Sequence, residues 1–191
     1  MCKVEIVEYT PEWRKDYLRI AASLRSTCSR NIIRIDHIGS TSVPSLASKD
    51  IVDIQVTVKS LNDSEHIHLL NHVGFRNRED ISSDILIGVS ESSVELRKQI
   101  FREPNGERRA HIHVREEGRL NQRYALLFRD FLRADPCVQR SYGIIKRQLA
   151  EMYPDDINGY LSIKDPAMDI IYRAAEHWAT VENWQQSTDY D

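Results

Sequence analysis

The sequence predicts an α+β fold, with a mixed β-sheet flanked by helices and followed by a C-terminal helical bundle. Residues 51–58 and 109–115 alternate apolar and polar side chains, which is the period of a half-buried strand. Residues 120–133 instead place Leu127, Phe128 and Phe131 on one stripe at helical spacing. Because the period changes near residue 116, a first part that contains the sheet and a helical second part are expected.

Local patterns in the first part predict each of its elements. Thr10, Pro11 and Glu12 are typical of a helix start, since they supply a capping hydroxyl, a fixed φ and an acid near the positive end of the helix dipole. The Asn-Gly sequence within 103–107 predicts a turn between two strands. Strands are predicted at 4–9, 33–38, 51–58, 83–89, 94–101 and 109–115, a helix at 62–72, and a loop at 39–49.

The second part predicts three helices. One covers 120–133, and the others start at Asp135-Pro136 and Asp165-Pro166, because Asp followed by Pro is a common helix start. We therefore expect an α/β core at 1–116, a helical region at 117–184 packed on that core, and a disordered polar tail at 185–191.

Composition narrows the class of protein. The 191 residues contain 41% hydrophobic side chains, and no run approaches the roughly 18 apolar residues that cross a bilayer. A formal charge of -3 argues against nucleic-acid binding through net charge. Cys2, Cys28 and Cys137 are too scattered for a disulfide or thiolate–metal framework. We expect a cytoplasmic protein with no membrane partner, and no feature specifies an oligomeric state.

The loop after the 33–38 strand is a candidate phosphate-binding segment. Gly39 lets the backbone approach a ligand, and Ser40, Thr41 and Ser42 offer hydroxyl and N–H donors. An ordinary Gly-Ser turn is the alternative. Asp53 favours the functional interpretation, because a carboxylate inside an apolar strand costs free energy unless it is paired, hydrogen-bonded or bound to a metal.

The segment that contains these residues resembles a known family. IDHIGSTSVPSLASKDIVDI at 35–54 is similar to HIGSTSVPGLxAKPIIDI of the GrpB (UPF0157-type) family, a branch of the polymerase-β-like nucleotidyltransferase superfamily. Later motifs agree in order, over roughly residues 9–178. They are Pro11-x-Trp13, Arg108 with HIHV at 111–114, LLFRDFLRADP at 126–136, Tyr142 to Leu149, and Lys164.

This resemblance implies a nucleotidyltransferase-like fold and a site. Gly39 and Ser40 are implied to hold a nucleoside triphosphate, and Asp53 to bind a divalent metal, Mg²⁺ or Mn²⁺, that neutralises the phosphates. Lys49, just before the Asp53 strand, is a candidate phosphate ligand, with a solvated loop charge as the alternative. Arg129 is another candidate phosphate ligand, and an ion pair with Asp130 is its alternative.

The chain departs from the superfamily pattern at the remaining acids. Gln55 stands where a second carboxylate is expected, and the strand that would carry the third offers His111 and His113. These histidines are candidate metal ligands, favouring Zn²⁺ or Mn²⁺, and His113 is also a candidate catalytic base. Hydrogen bonds within the sheet are the alternative for both. Glu95 is a further candidate acid.

Three other polar residues are weaker candidates. His37 either points to the same site as Asp53 or packs on the sheet. Arg133 and Lys146 lie on helices expected beside the sheet, where an acidic substrate could use them. The HIHV segment also invites comparison with histidine-triad hydrolases, but Arg115 occupies the third histidine position of that motif.

Two functions follow as expectations. The first is metal-dependent transfer of a nucleotidyl group to a hydroxyl of an unknown small molecule or protein, with Asp53 and His113 as catalytic residues. The second is a non-catalytic nucleotide- or anion-binding protein that retains the fold, because Gln55 removes one negative charge from the metal site.

Overall fold

A computed structural model describes residues 3–27, 32–63 and 65–187 of the protein. Cys2, Cys28 and the last four residues of the expected tail lie outside these ranges. The strands are β1 (Ile32–Ile38), β2 (Val52–Val58), β3 (Arg76–Asn77), β4 (Gln99–Arg102) and β5 (Ala110–Glu116). The helices are α1 (Glu12–Thr27), α2 (Glu65–His72), α3 (Leu120–Ala134), α4 (Pro136–Met152) and α5 (Ile157–Val181), with short 3₁₀ turns at Ser40–Ser42 and Val94–Leu96.

The strands form one mixed sheet in the order β1-β2-β5-β4-β3. β2 and β5 run parallel, whereas the β1–β2, β5–β4 and β4–β3 pairs are antiparallel. In the parallel pair Asp53 lies opposite His111 and Gln55 opposite His113. The predicted α+β class with a mixed sheet and C-terminal helices is confirmed, and the register places the candidate acid and histidines on neighbouring strands.

The two sheet faces bury different chemistry. Ile54 and Val56 belong to the main apolar core, where Trp13 and Tyr17 of α1 pack against them. Successive side chains of a strand point to opposite faces, so Asp53 lies on the face away from α1. That second face is covered by the C-terminal helices, whose own core joins α3, α4 and α5 with the segment after β1 through residues that include Leu46, Phe131, Tyr142 and Tyr172.

Three predicted strands are wrong in whole or in part. Residues 4–9 form only an isolated bridge between Val7 and Ser48, because one short alternation finds no strand to pair along. The 83–89 segment pairs only at Ser83, since it leaves the sheet to close on α5, where Asp169 accepts from the Ile87 N–H. The 94–101 prediction begins as a 3₁₀ turn, and β4 starts at Gln99.

The start predicted for the last helix is also wrong. α5 begins at Ile157, where Asp156 accepts hydrogen bonds from the Asn158 and Gly159 N–H groups at 3.0 Å. Pro166 lies inside the helix and not at its start. The Asp165-Pro166 signal was misleading because Pro also occurs within helices that tertiary packing holds in place, at the cost of one backbone hydrogen bond.

Other boundaries are confirmed. α1 begins at Glu12 after Thr10, whose hydroxyl accepts from the Glu12 N–H at 3.3 Å. α4 begins at Pro136, and Asp135 caps it by accepting from two N–H groups. The 103–107 turn joins the antiparallel strands β4 and β5, with Gly106 at φ 81°.

Candidate functional site

Asp53 and two histidines form a compact cluster on the sheet face opposite α1. His111 Nδ1 lies 3.3 Å and His113 Nε2 lies 3.6 Å from Asp53 Oδ1. One carboxylate oxygen and two imidazole nitrogens therefore lie within 4.8 Å of one another. All three side chains are half-buried, between 15% and 28% exposed. The β2–β5 register explains the cluster, because it brings alternate residues of two parallel neighbours to the same face.

The electrostatics leave this cluster suited to a cation. Burial lowers the pKa of His113 to about 4 against the opposing effect of Asp53, so the ring is neutral at pH 7. Burial alone would raise the pKa of Asp53, but hydrogen bonds from His111 and His113 reverse this and hold it below its usual range. Because His113 is uncharged at pH 7, it lowers the pKa of Asp53 through its hydrogen bond more than through charge. The cluster thus combines an anionic oxygen with a neutral imidazole, as metal ligation requires.

Gly39 fits closely against the Asp53 carboxylate. It has φ 67° and ψ -174°, a region that is almost restricted to glycine. A Cβ built at this position would lie 2.6 Å from Asp53 Oδ2. Glycine therefore serves two purposes here, since it turns the chain out of β1 and leaves room for the carboxylate.

Lysines of α4 and of the segment before β2 line the same region. Lys146 Nζ donates to Ser40 Oγ at 2.8 Å and to the Ala47 carbonyl at 2.5 Å. Burial lowers the pKa of Lys146 well below its usual value. Burial also lowers the pKa of Lys49, and the Asp53 carboxylate opposes that effect. Lys49 Nζ lies 5.5 Å from the ring centre of Tyr160. Two largely desolvated amines thus flank Ser40 and Asp53.

Gln55 belongs to a separate network, in which both polar atoms of its amide have hydrogen-bond partners. Its Nε2 donates to the Gln122 carbonyl at 3.2 Å, and its Oε1 accepts from Arg115 at 2.7 Å. Arg115 Nε also pairs with Asp84 at 2.9 Å, and Lys98 Nζ pairs with the same carboxylate at 2.6 Å. The amide at the second-acid position is therefore committed to a buried ion-pair network.

The remaining predicted phosphate residues have other contacts. Ser42 Oγ donates to the Gly39 carbonyl at 2.6 Å, and Thr41 Oγ1 bonds with His37 Nε2 at 3.0 Å. Arg129 is buried, donates to the His37 carbonyl at 3.0 Å and pairs with Asp130 at 2.7 Å. The structural ion pair weighed for Arg129 is thus present. Its phosphate role stays a prediction, as do those of Thr41 and Ser42.

Two of the weaker candidates lie away from Asp53. His37 pairs with Ile54 across β1 and β2, and its ring stacks on Tyr17 at 4.8 Å between ring centres. It therefore packs on the α1 face, which confirms the sheet-packing alternative. Glu95 accepts from the Leu120 N–H at 3.0 Å and pairs with Arg119, so it caps the start of α3.

The donor set of the cluster fits one divalent cation. A carboxylate with two imidazoles is typical of Zn²⁺ or Mn²⁺ sites, whereas Mg²⁺ prefers oxygen ligands alone. His113 Nδ1 is buried and lacks a hydrogen-bond partner among the described residues, so the ring is oriented through Nε2 alone. Coordination at Nε2 would place the ring proton on Nδ1. Asp53, His111 and His113 are therefore the residues that would hold the ion.

Sequence reasoning missed Asp84 and Lys98 and gave Arg115 no site role. Asp84 stands in a segment mistaken for a strand, and its Lys98 partner is 14 residues away. Arg115 was detectable in principle, because it follows His111 and His113 on one face of β5. Only the parallel pairing of β2 with β5 reveals that it meets Gln55, and a single sequence does not specify that pairing.

The family model for the GrpB protein matches residues 3–174. The chain belongs to the GrpB family. A crystal structure of the conserved protein GrpB from Enterococcus faecalis is 30% identical, covers 91% of this chain and 99% of that chain, and has a TM-score of 0.71. The fold described above is therefore similar to an experimental GrpB structure over nearly the whole length of both.

Curated relatives extend the comparison. UPF0157 protein YqkA of Bacillus subtilis strain 168 is 31% identical over 95% of this chain and 50% of its own length. Dephospho-CoA kinase of Mycolicibacterium paratuberculosis is 32% identical over 95% of this chain and 48% of its own length. The chain thus spans about half the length of these relatives. No helix in the described part of this GrpB-family chain is long and apolar enough to cross a membrane.

Proposed function

We propose that this GrpB-family protein is a metal-dependent nucleotidyltransferase that acts on a hydroxyl of a small molecule or protein. The single observation that carries the proposal is the Asp53–His111–His113 cluster, because a carboxylate and two imidazoles meet around one cation-sized space. A bound divalent cation would supply positive charge that stabilises phosphoryl oxygens during transfer.

The residues around the cluster suit a polyphosphate. Ser40 presents its hydroxyl beside Lys146 Nζ, and Lys49 lies near enough to Asp53 for that carboxylate to raise its pKa against the effect of burial. Burial disfavours the charged form of these amines, and a phosphate anion beside them would favour it, so nucleotide binding would restore their positive charge. We infer that Gly39 and Ser40 position the phosphates and that Lys146 and Lys49 neutralise them.

The transfer then needs only positioning and charge neutralisation. An acceptor hydroxyl oxygen forms a bond to the α-phosphorus, the bond to the bridging oxygen breaks, and pyrophosphate leaves while the hydroxyl proton is lost to a base. His111 and His113 are both assigned to ligation, and His113 is the more enclosed of the two, with a side chain 15% exposed against 24% for His111. The proton therefore passes to solvent or to a base on the acceptor.

Gln55 favours a second candidate function, nucleotide or anion binding without catalysis. Its side chain is held by Gln122 and Arg115, so the second-acid position contributes no charge to the cluster. Among the described residues, the Asp53–His111–His113 cluster has ligands for one cation. The name dephospho-CoA kinase describes relatives of about twice this length, so it does not decide between the two candidates.

Calorimetric titration of Mn²⁺ and Zn²⁺, each with ATP, GTP, CTP or UTP, tests the proposal. Asp53→Asn is expected to weaken metal binding about a hundredfold, since it removes the only carboxylate of the cluster. Asp155→Asn, at an exposed acid of the α4–α5 connection, is the matched control. Lys146→Met is expected to weaken nucleotide binding and leave metal binding intact.

Pyrophosphate release across a panel of hydroxyl acceptors separates the two candidates. Release that requires Asp53 supports transfer, and tight binding without release under every condition supports the binding protein. If neither a metal nor a nucleotide binds the unmodified chain, both candidates are wrong. Unchanged metal affinity in Asp53→Asn would show that the ion lies elsewhere.

A further inference from the structure

A cavity of about 240 Å³ lies at the outer edge of the sheet, between α1, the Ser40–Ser42 turn and the end of α3. Its walls include Arg14, Tyr17, His37, Thr41 and Arg133. We propose that this cavity binds a small anion with a carboxylate or phosphate group, as a site separate from the Asp53 cluster.

The sheet separates the two sites. His37 lies opposite Ile54 in the β1–β2 pair, and Ile38 lies opposite Asp53. Residues directly opposite each other in an antiparallel pair share a face, and neighbours along a strand alternate. His37 and the cavity are therefore on the α1 side, whereas Asp53 is on the other side. The short turn after β1 borders both, with Ser40 beside Lys146 and Thr41 beside the cavity.

The charges on the cavity wall are all positive. Among the described residues, Arg14 and Arg133 are the charged members of the wall, and no described Asp or Glu lines it. Arg14 is exposed on the first turns of α1, and its guanidinium makes no hydrogen bond or ion pair with another residue in the described part of the chain. Arg133 donates to the Ser42 carbonyl at 2.8 and 3.1 Å, which holds its guanidinium at the rim. One anchored and one exposed guanidinium, with no carboxylate among the described lining residues, favour an anionic ligand.

Acids near the cavity are already engaged. Asp130 lies 3.8 Å from Arg133 Nη1, but it also pairs with Arg129 at 2.7 Å and accepts from the Trp184 indole at 3.1 Å. Asp36 is buried and pairs with Arg34. Because these carboxylates are shared among several donors, they do not cancel the charge that Arg14 brings to the cavity.

The size and floor of the cavity limit the ligand. A volume of about 240 Å³ is below the roughly 300 to 1,000 Å³ of pockets that hold drug-sized ligands. A whole nucleoside triphosphate is therefore too large. The buried floor consists of the stacked Tyr17 and His37 rings, and Tyr17 donates its hydroxyl to the Ile35 carbonyl at 3.0 Å. This rigid floor suits a compact ligand whose anionic group faces the two arginines.

Site-resolved amide NMR with inorganic phosphate and with malonate tests the proposal and distinguishes the two chemistries. The metal-free protein is expected to show shifts at Tyr9, Arg14 and Thr41 with at least one of the probes. Arg14→Gln is expected to weaken that binding about tenfold, because it removes one charged hydrogen-bond donor. Arg14 has no side-chain partner among the described residues, so the variant is expected to keep its fold, whereas Arg133 also anchors the turn and is not substituted.

Two further variants fix the interpretation. Arg140→Gln removes the same charge from an exposed position on α4 and is expected to leave the affinity unchanged. His113→Asn alters the Asp53 side without a contact to the turn after β1, and it is also expected to leave the affinity unchanged, so that the two sites fail independently. The proposal is overturned if neither probe shifts these amides, if Arg14→Gln binds as tightly as the unmodified chain, or if His113→Asn abolishes the shifts.

Discussion

Two polar clusters lie side by side on the same face of β2 and β5, and they are completed in opposite ways. The first joins Asp53 with His111 and His113. Its carboxylate lies beside the His113 ring, which burial keeps neutral at pH 7 by lowering its pKa to about 4. The second joins Gln55, Asp84, Lys98 and Arg115, and its carboxylate meets two cationic side chains directly.

Only the first of these clusters is available for a ligand. Burial would raise the pKa of Asp84, but Arg115 and Lys98 lower it, so the second cluster is neutralised from within. No described lysine or arginine lies within hydrogen-bonding distance of Asp53 in the first cluster, and this cluster is the more open to solvent. We therefore expect changes in the second cluster to affect stability, and changes in the first to affect ligand binding.

Arg115→Met should have the largest effect on stability. It leaves the buried Gln55 and the half-buried Asp84 with one partner fewer each, and breaking a largely buried ion pair costs about 3 kcal/mol of unfolding free energy. Urea unfolding measures the loss. Arg119→Met is the control, because Arg119 makes more exposed pairs with Glu95 and Glu116 that contribute about 1 kcal/mol or less. Equal losses in the two variants would contradict the assignment of the second cluster as structural.

The pH dependence of stability should report His113 in the first cluster. Burial lowers its pKa from 6.5 to about 4, so the unfolded chain binds a proton that the folded chain refuses between these values. Stability must therefore fall as pH falls through this window, by about 2 kcal/mol between pH 7.5 and pH 5. His113→Asn should lose that component, whereas His177→Asn, at an exposed position of α5, should retain it. Parallel pH profiles for all three proteins would show that His113 is not enclosed.

The sequence predicted the strands of the first cluster but not how they pair. Alternation placed Asp53 in β2 and both histidines in β5, and the departure from the superfamily acids made the histidines candidate ligands, but neither showed whether the three side chains meet. Their contact depends on a parallel register between segments more than 50 residues apart, which no local pattern encodes. Lys146 meets Ser40 for the same reason, because helix packing brings α4 to the turn after β1.

Local signals also failed where the tertiary structure opposed them. The 83–89 segment alternates like a strand, yet Asp84 is held by Lys98, Arg115 and Asn121 while the backbone turns toward α5. Asp165-Pro166 resembles a helix start, yet the helix continues through it. In each case long-range contacts outweigh a preference of about 1 to 3 kcal/mol.

Gly39→Ala should disturb the first cluster without touching either histidine. The added Cβ would lie 2.6 Å from Asp53 Oδ2, and φ 67° with ψ -174° is strained for alanine. Gly106→Ala is a matched control, since Gly106 has φ 81° and a Cβ there meets nothing within 4 Å. Gly39→Ala should cost about 1.5 kcal/mol more than the control and also weaken Mn²⁺ binding. Equal costs and unchanged metal affinity would show that Asp53 tolerates displacement.

Gln55→Glu should have the smallest effect on stability, and it tests directly whether the two clusters are distinct. The new carboxylate restores an acid at the second-acid position, but Arg115 lies 2.7 Å from the side-chain oxygen and would pair with it. The bond from Gln55 Nε2 to the Gln122 carbonyl would be lost, at a cost of about 1 kcal/mol. Metal titration should still find one ion per chain.

Gln139→Glu is the control for that lost bond, because the exposed Gln139 amide also donates to a carbonyl, that of Pro44. If Gln55→Glu instead bound a second ion, its carboxylate would have to turn away from Arg115 toward Asp53. The two clusters would then form a single site, with Arg115 acting as a cation that a metal can replace. A stoichiometry of one keeps them distinct, since the register that joins Asp53 to the histidines also commits Gln55 to Arg115.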